Sequence, residues 1–169
     1  MLIAALLAVA ASAAADAGTS NLPGVFEAAC LDGQAKLSAG EVTPASFDQL
    51  PAGLRDSLRR PDSGNVWRLS SMGNSYLYVL NYTPTPGVSP RICGLASDAM
   101  DFKSATGALA ARVGGSMERD DVRSAQWLNA KDGYVATATA TAGFNVLQIS
   151  WMTDADKAEA QRQVAELAH

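Results

Sequence analysis

The chain has 169 residues, a formal net charge of −4, and 48% hydrophobic against 18% charged residues. That length suits one domain and leaves little room for a second. Acids and bases are interspersed, with most of the acidic excess after Val113, so the basic stripe of a nucleic-acid binder is missing and nucleic acid is set aside as a partner.

Residues 1–15, MLIAALLAVAASAAA, carry no charged side chain. Leu2–Val9 forms a short apolar core, and Ala13 and Ala15 supply the small residues of an Ala-x-Ala cleavage site ahead of Asp16. The run is shorter than the roughly 20 residues that a spanning helix needs. It is read as a cleaved signal peptide, with no membrane span in the mature chain and export to the periplasm or the outside of the cell. Residues 16–24 are small and polar and read as a flexible lead-in. Residues 25–169 read as a single α+β domain.

The first helix is Val25–Asp32, with Val25, Phe26, Ala29 and Cys30 on one face and Gly33 as its stop. Cys30 and Cys93 are the only cysteines. In an exported domain that number predicts a Cys30–Cys93 disulfide. With His169 as the sole histidine, the two cysteines fall short of a zinc ligand set, and no metal or cofactor is expected. Thr43-Pro44 is read as opening a short helical turn, and Leu50-Pro51 a second, with Leu54 and Leu58 four apart.

The period then changes. Asn65–Ser71 and Tyr76–Tyr82 are β-rich and flank Met72–Ser75, a hairpin signal. Thr83–Pro90 is an extended, proline-rich loop, and Arg91–Ala96 a third strand carrying Cys93. Asp101 caps a helix through Val113, with Phe102, Ala105, Leu109 and Val113 on one face. The second half repeats the plan. Val122–Leu128, Tyr134–Ala142 and Asn145–Met152 are strands, the first two joined at Lys131-Asp132-Gly133, and Thr153 caps a last helix. The predicted order is α-βββ-α-βββ-α, a mainly antiparallel sheet with helices packed on one face. This order resembles that of secretion-chaperone-like α+β folds, without a shared motif.

Chemistry-bearing motifs are sparse. Neither a Gly-x-Ser-x-Gly elbow nor a Ser-x-x-Lys pair is present. Arg55, Arg59 and Arg60 form the one basic cluster and a candidate anion site for phosphate or carboxylate. Glu118, Asp120 and Asp121 are candidate oxygen ligands or acid-base groups, although the run Glu118–Asp121 reads first as a solvated connecting loop. Asp154 and Asp156 fall in a first helical turn, where negative charge is favoured. In YVATATATA, Thr137, Thr139 and Thr141 face one way and the alanines the other, small enough for a helix to approach closely. Finally, if the helices cover the Leu77/Val79 face, then Tyr76, Tyr78 and Tyr82, with Trp67 or Arg68 beside them, form a partner-binding face. The reading is an exported non-catalytic domain that binds a protein or surface partner in the cell envelope. The alternative is a small-ligand or anion binder, or an enzyme whose site is assembled from scattered Arg and Asp/Glu residues. Nothing in the sequence fixes an oligomeric state.

Overall fold

Alternating apolar residues in two blocks, 63–97 and 124–151, build most of a single antiparallel sheet. The computed structural model describes residues 21–33, 41–85, 87–114, 116–121 and 123–167, with 116–121 and 167 described by their backbone only. The strands are β1 (Val42–Ala45), β2 (Ser63–Leu69), β3 (Ser75–Asn81), β4 (Arg91–Ser97), β5 (Ser116–Asp121), β6 (Ser124–Asn129), β7 (Tyr134–Thr141) and β8 (Phe144–Trp151). Their order across the sheet is β1-β2-β3-β4-β8-β7-β6-β5. Each half is thus a four-stranded meander, and the last strands of the two meanders pair antiparallel at the centre, Cys93 opposite Ile149. The helices are α1 (Leu22–Phe26, continued as a π-helical turn Glu27–Leu31), α2 (Ala52–Ser57), α3 (Phe102–Val113) and α4 (Asp154–Leu167).

The α+β class and the antiparallel sheet are as the sequence indicates, and three local readings are corrected. Thr43-Pro44 does not open a helical turn but lies in β1. Proline is tolerated there because β1 is an edge strand with β2 as its one neighbour, so a missing N–H leaves the sheet intact. The helical turn comes later, at Phe47–Gln49, where the Gln49 side chain accepts a hydrogen bond from the Ser46 N–H at 2.7 Å. The run Glu118–Asp121 is not a connecting loop but part of the opposite edge strand, β5. The two halves therefore read ββββα rather than βββα. The first helix begins at Leu22, inside the stretch read as a flexible lead-in, and Leu22 is fully buried in the core. Residues 1–20, the signal peptide reading included, lie outside the described residues.

α1 and α3 share one face of the sheet. Leu22, Phe26 and Cys30 pack beside Ala105, Leu109 and Val113, over Leu95, Trp127 and Ile149. The fully buried Ala125, Ala136 and Ala138 are what allow α3 to sit close to β6 and β7. Asp101 caps α3 by accepting the Ser104 N–H at 2.8 Å. The Cys30–Cys93 disulfide, with Cα atoms 5.5 Å apart, ties the end of the first helix to the central strand β4. Arg112 adds a second tie, donating to Glu27 at 3.1 Å and Asp32 at 3.0 Å. Contrary to the expectation from the sequence, the helices are not confined to that face: on the opposite face lies the short α2, whose Leu54 packs with Leu50 over Tyr78, Leu80 and Phe144.

A central glycine decides how that second layer packs. The Tyr78 ring covers Gly94 on the neighbouring strand, where any Cβ would overlap the ring and its hydroxyl. Gly94→Ala is therefore expected to destabilise by about 1–3 kcal/mol through overpacking, seen as a lower denaturant midpoint at unchanged slope. Cys93→Ser is expected to cost roughly 2–5 kcal/mol, and reduction of the wild-type protein should reproduce most of that loss.

Candidate functional site

The two halves of the sheet are covered unequally. In the first half, α2 is inserted between β1 and β2 and roofs β2–β4. In the second half, β5 and β6 are joined only by residues 122 and 123, too few for an equivalent helix. The α2-side face of β6–β8 is consequently left half-exposed, and it carries Ser124, Gln126, Thr137, Thr139, Gln148 and Ser150. Register places Gln126, Thr137, Gln148, Gly94 and Tyr78 in one row across five strands, adjacent strands being about 4.8 Å apart.

Two adjoining hollows occupy this face beside the C-terminal end of α2. One, of about 240 Å³, is lined by Arg59, Tyr82, Val88, Ser89 and Ile92; the other, of about 320 Å³, by Thr137, Thr139, Thr141 and Val146. Ser57, Leu58 and Gln148 line both, so the hollows form one groove with Gln148 at its middle. The Gln148 amide is held in place. Its Oε1 accepts from the Tyr78 hydroxyl at 3.0 Å and its Nε2 donates to Ser150 Oγ at 3.1 Å. One N–H of that amide is left for another acceptor. The hydroxyls of Thr137, Thr139 and Thr141 make no hydrogen bond to other described residues.

The phenols in and under the groove stay neutral. Burial raises the Tyr78 pKa, with a smaller push from Tyr82. Burial also raises Tyr82, which donates to the Arg59 carbonyl at 3.0 Å. Both therefore act as hydrogen-bond donors at neutral pH. At the rim, Asp62 accepts from the Thr83 hydroxyl at 2.8 Å and its N–H at 2.5 Å, and these bonds hold its carboxyl below the usual range. Asp62 thereby fastens the start of the proline-rich loop to β2. The lining chemistry is neutral amide and hydroxyl, with Arg59 the single charged side chain in either hollow.

No family model, curated protein or solved structure matches this chain. The site accordingly rests on its own geometry.

Several residues singled out from the sequence are displaced from a site. Tyr76, Tyr78 and Tyr82 do not form an open partner-binding face: they are 8%, 0% and 8% exposed, because α2 and Leu50 cover that side of β3. Trp67 points to the opposite face and packs against the α1/α3 layer, so it cannot join them. The arginine cluster does not converge either. Arg55 donates to the Asp48 carbonyl at 3.1 Å and Arg60 to its carboxylate at 3.3 Å, while Arg59 alone faces the groove. The side chains of Glu118, Asp120 and Asp121 lie outside the described residues. Asp154 and Asp156 sit in the first turn of α4, capped by Thr153, whose Oγ1 accepts the Asp156 N–H at 3.1 Å.

Gln148 was not singled out from the sequence. Its only signal there is a long polar side chain between the apolar Leu147 and Ile149. The threonine row was legible as a face, but not as an uncovered one. A second cleft, of about 610 Å³, lies between Arg112, Asn129, Lys131, Tyr134 and Val164. Two of its polar groups are spent on structure: Asn129 Nδ2 and the Tyr134 hydroxyl both donate to the Val113 carbonyl, at 2.9 and 2.6 Å, and so satisfy the C-terminus of α3.

Removing the Tyr78 hydroxyl tests how the groove is built. Tyr78→Phe keeps the ring over Gly94 but frees Gln148 Oε1, and a stability loss of about 1 kcal/mol is expected. The side-chain amide resonances of Gln148 should broaden or converge in ¹H–¹⁵N spectra while backbone signals stay native-like. Unchanged Gln148 resonances would show that the hydroxyl does not orient the amide.

Proposed function

We propose that this protein is an exported, non-catalytic binding domain that engages a protein partner in the cell envelope through the groove centred on Gln148. The observation that carries the reading is the half-exposed sheet face of β6–β8, whose threonine hydroxyls have no partner among the described residues and whose central amide is oriented from below. Such a face supplies directional hydrogen bonds on rigid strands, which suits recognition. Apart from Arg59 its lining is neutral at physiological pH, which suits binding better than proton transfer. Export rests on the apolar leader of residues 1–15 with its Ala-x-Ala end, and the Cys30–Cys93 disulfide is compatible with an oxidising compartment. Among the described residues, no helix is long and apolar enough to cross a membrane.

Two measurements test the proposal. The intact mass of the protein recovered from the envelope fraction should correspond to a chain beginning at or near Asp16; a full-length mass in the cytosolic fraction would overturn the export reading. Cross-linking in envelope extract should capture a partner with the wild-type protein and lose it with Thr139→Arg, a substitution that fills the groove from a half-exposed position. The variant should keep a native denaturation midpoint within about 0.5 kcal/mol, as surface changes usually do. Equal capture by the two proteins would place the partner elsewhere.

A further inference from the structure

The groove also constrains what it binds, and the following step rests on the reading that it is a binding site. Three features act together. The first is periodic: Thr137, Thr139 and Thr141 recur every second residue along β7, covering about 13 Å at strand rise. That is the repeat with which an extended peptide presents its own carbonyls and amides. The second is the Gln148 amide at the middle of the groove. It is fixed by Tyr78 and Ser150, and one N–H together with the second Oε1 lone pair remains available. An amide in that state matches the donor and acceptor pair of a peptide bond. The third is charge. Arg59 closes one end and is the only charged side chain lining either hollow. It forms no ion pair among the described residues, although the Asp62 carboxylate, held by both Thr83 donors, is near enough to feel its charge.

We infer that the groove takes the C-terminal end of an extended peptide, with its carboxylate at Arg59, a peptide bond at Gln148 and the preceding residues along the threonine row. The aliphatic walls, Leu58, Val88 and Val146, favour small or β-branched side chains over charged ones. Carboxylate capture at one end with backbone hydrogen bonding along the rest is an established way to bind chain termini. An internal peptide segment or a neutral sugar would satisfy the threonines and Gln148 but would give the Arg59 guanidinium no charged acceptor within the groove.

The probes are acetylated tetrapeptides of Ala, Ser and Val, made once with a free C-terminal carboxylate and once as the C-terminal amide. Titration into the disulfide-bonded chain is followed by calorimetry and by the Gln148 side-chain signals in ¹H–¹⁵N spectra. The free acids are expected to bind and shift those signals, and the amides to bind about tenfold more weakly, the loss of one charge-assisted contact. Arg59→Gln should bring the acids down to the affinity of the amides without altering the thermal midpoint. Gln148→Ala should weaken both. Equal affinity for acid and amide would overturn the assignment of the carboxylate to Arg59. Absence of any Gln148 shift at millimolar peptide would overturn the peptide class. If the peptides fail while envelope capture still depends on Thr139, only the ligand class falls; if capture is also independent of Thr139, the binding reading falls with it.

Discussion

The pairing of β4 with β8 is the contact on which the rest of the molecule depends. It brings residues 91–97 against residues 145–151 and converts two four-stranded meanders into one eight-stranded sheet. Apart, each meander would expose an apolar edge strand at its most hydrophobic position, with Leu95 and Ala96 on one side and Leu147 and Ile149 on the other. Both cores cross this seam. The α1/α3 layer rests on residues from each half, and so does the α2 layer, where Tyr76 of the first meander meets Phe144 of the second edge to face, with centroids 6.4 Å apart. The pairing is also long-range in sequence, so the chain must close a large loop before it is rewarded. The disulfide reaches the same seam, since Cys93 lies on β4 directly opposite Ile149.

The common plan of the two halves makes their difference informative. Each runs as a meander followed by a helix, and only the first carries an inserted helix between its first two strands. That insertion, Ala52–Ser57 with its flanking turns, decides which part of the face is core and which part is open. It is seated tightly: a Cβ on Gly53 would meet the Ala142 methyl, so α2 touches the β7–β8 hairpin as well as the strands beneath it. Ala142 itself holds a positive φ of 49°, and with Gly143 at 81° it forms the two-residue turn that matches the twist of a hairpin. The groove walls are therefore set by contacts from both halves.

The elements were largely legible because their signals are local. The hairpin around Met72–Ser75, the Asp101 cap, the helix face of Ala105, Leu109 and Val113, and the Thr153 cap all depend on spacings of a few residues. The edge strands were not legible for the opposite reason. Thr43-Pro44 has the local chemistry of a helix start, and Glu118–Asp121 has that of a solvated loop; only pairing with β2 and β6 makes them strands. The tyrosine face failed on the same ground. Alternation correctly put Tyr76, Tyr78 and Tyr82 on one side of the chain, but the side that α2 covers is a tertiary fact. Threonine and tyrosine share one face of the sheet, and their roles divide at the seam between β4 and β8.

A sheet face left open needs polar residues for solubility alone, and threonine, serine and glutamine all meet that need. Solubility does not require that any of them be oriented. Here the central amide is oriented, by a hydroxyl carried on a fully buried ring that packs over a glycine in the middle of a central strand. Glycine weakens a strand interior, and the Tyr78 hydroxyl adds a polar group to an otherwise apolar layer. A leucine at 78 and an alanine at 94 would give an ordinary apolar core with Gln148 free to move. The arrangement present instead fixes one amide at the middle of the groove from beneath, and leaves its remaining donor to whatever occupies the space above. Pre-orientation of this kind lowers the ordering cost of a bound state, which is why it supports recognition more strongly than the polarity of the face does.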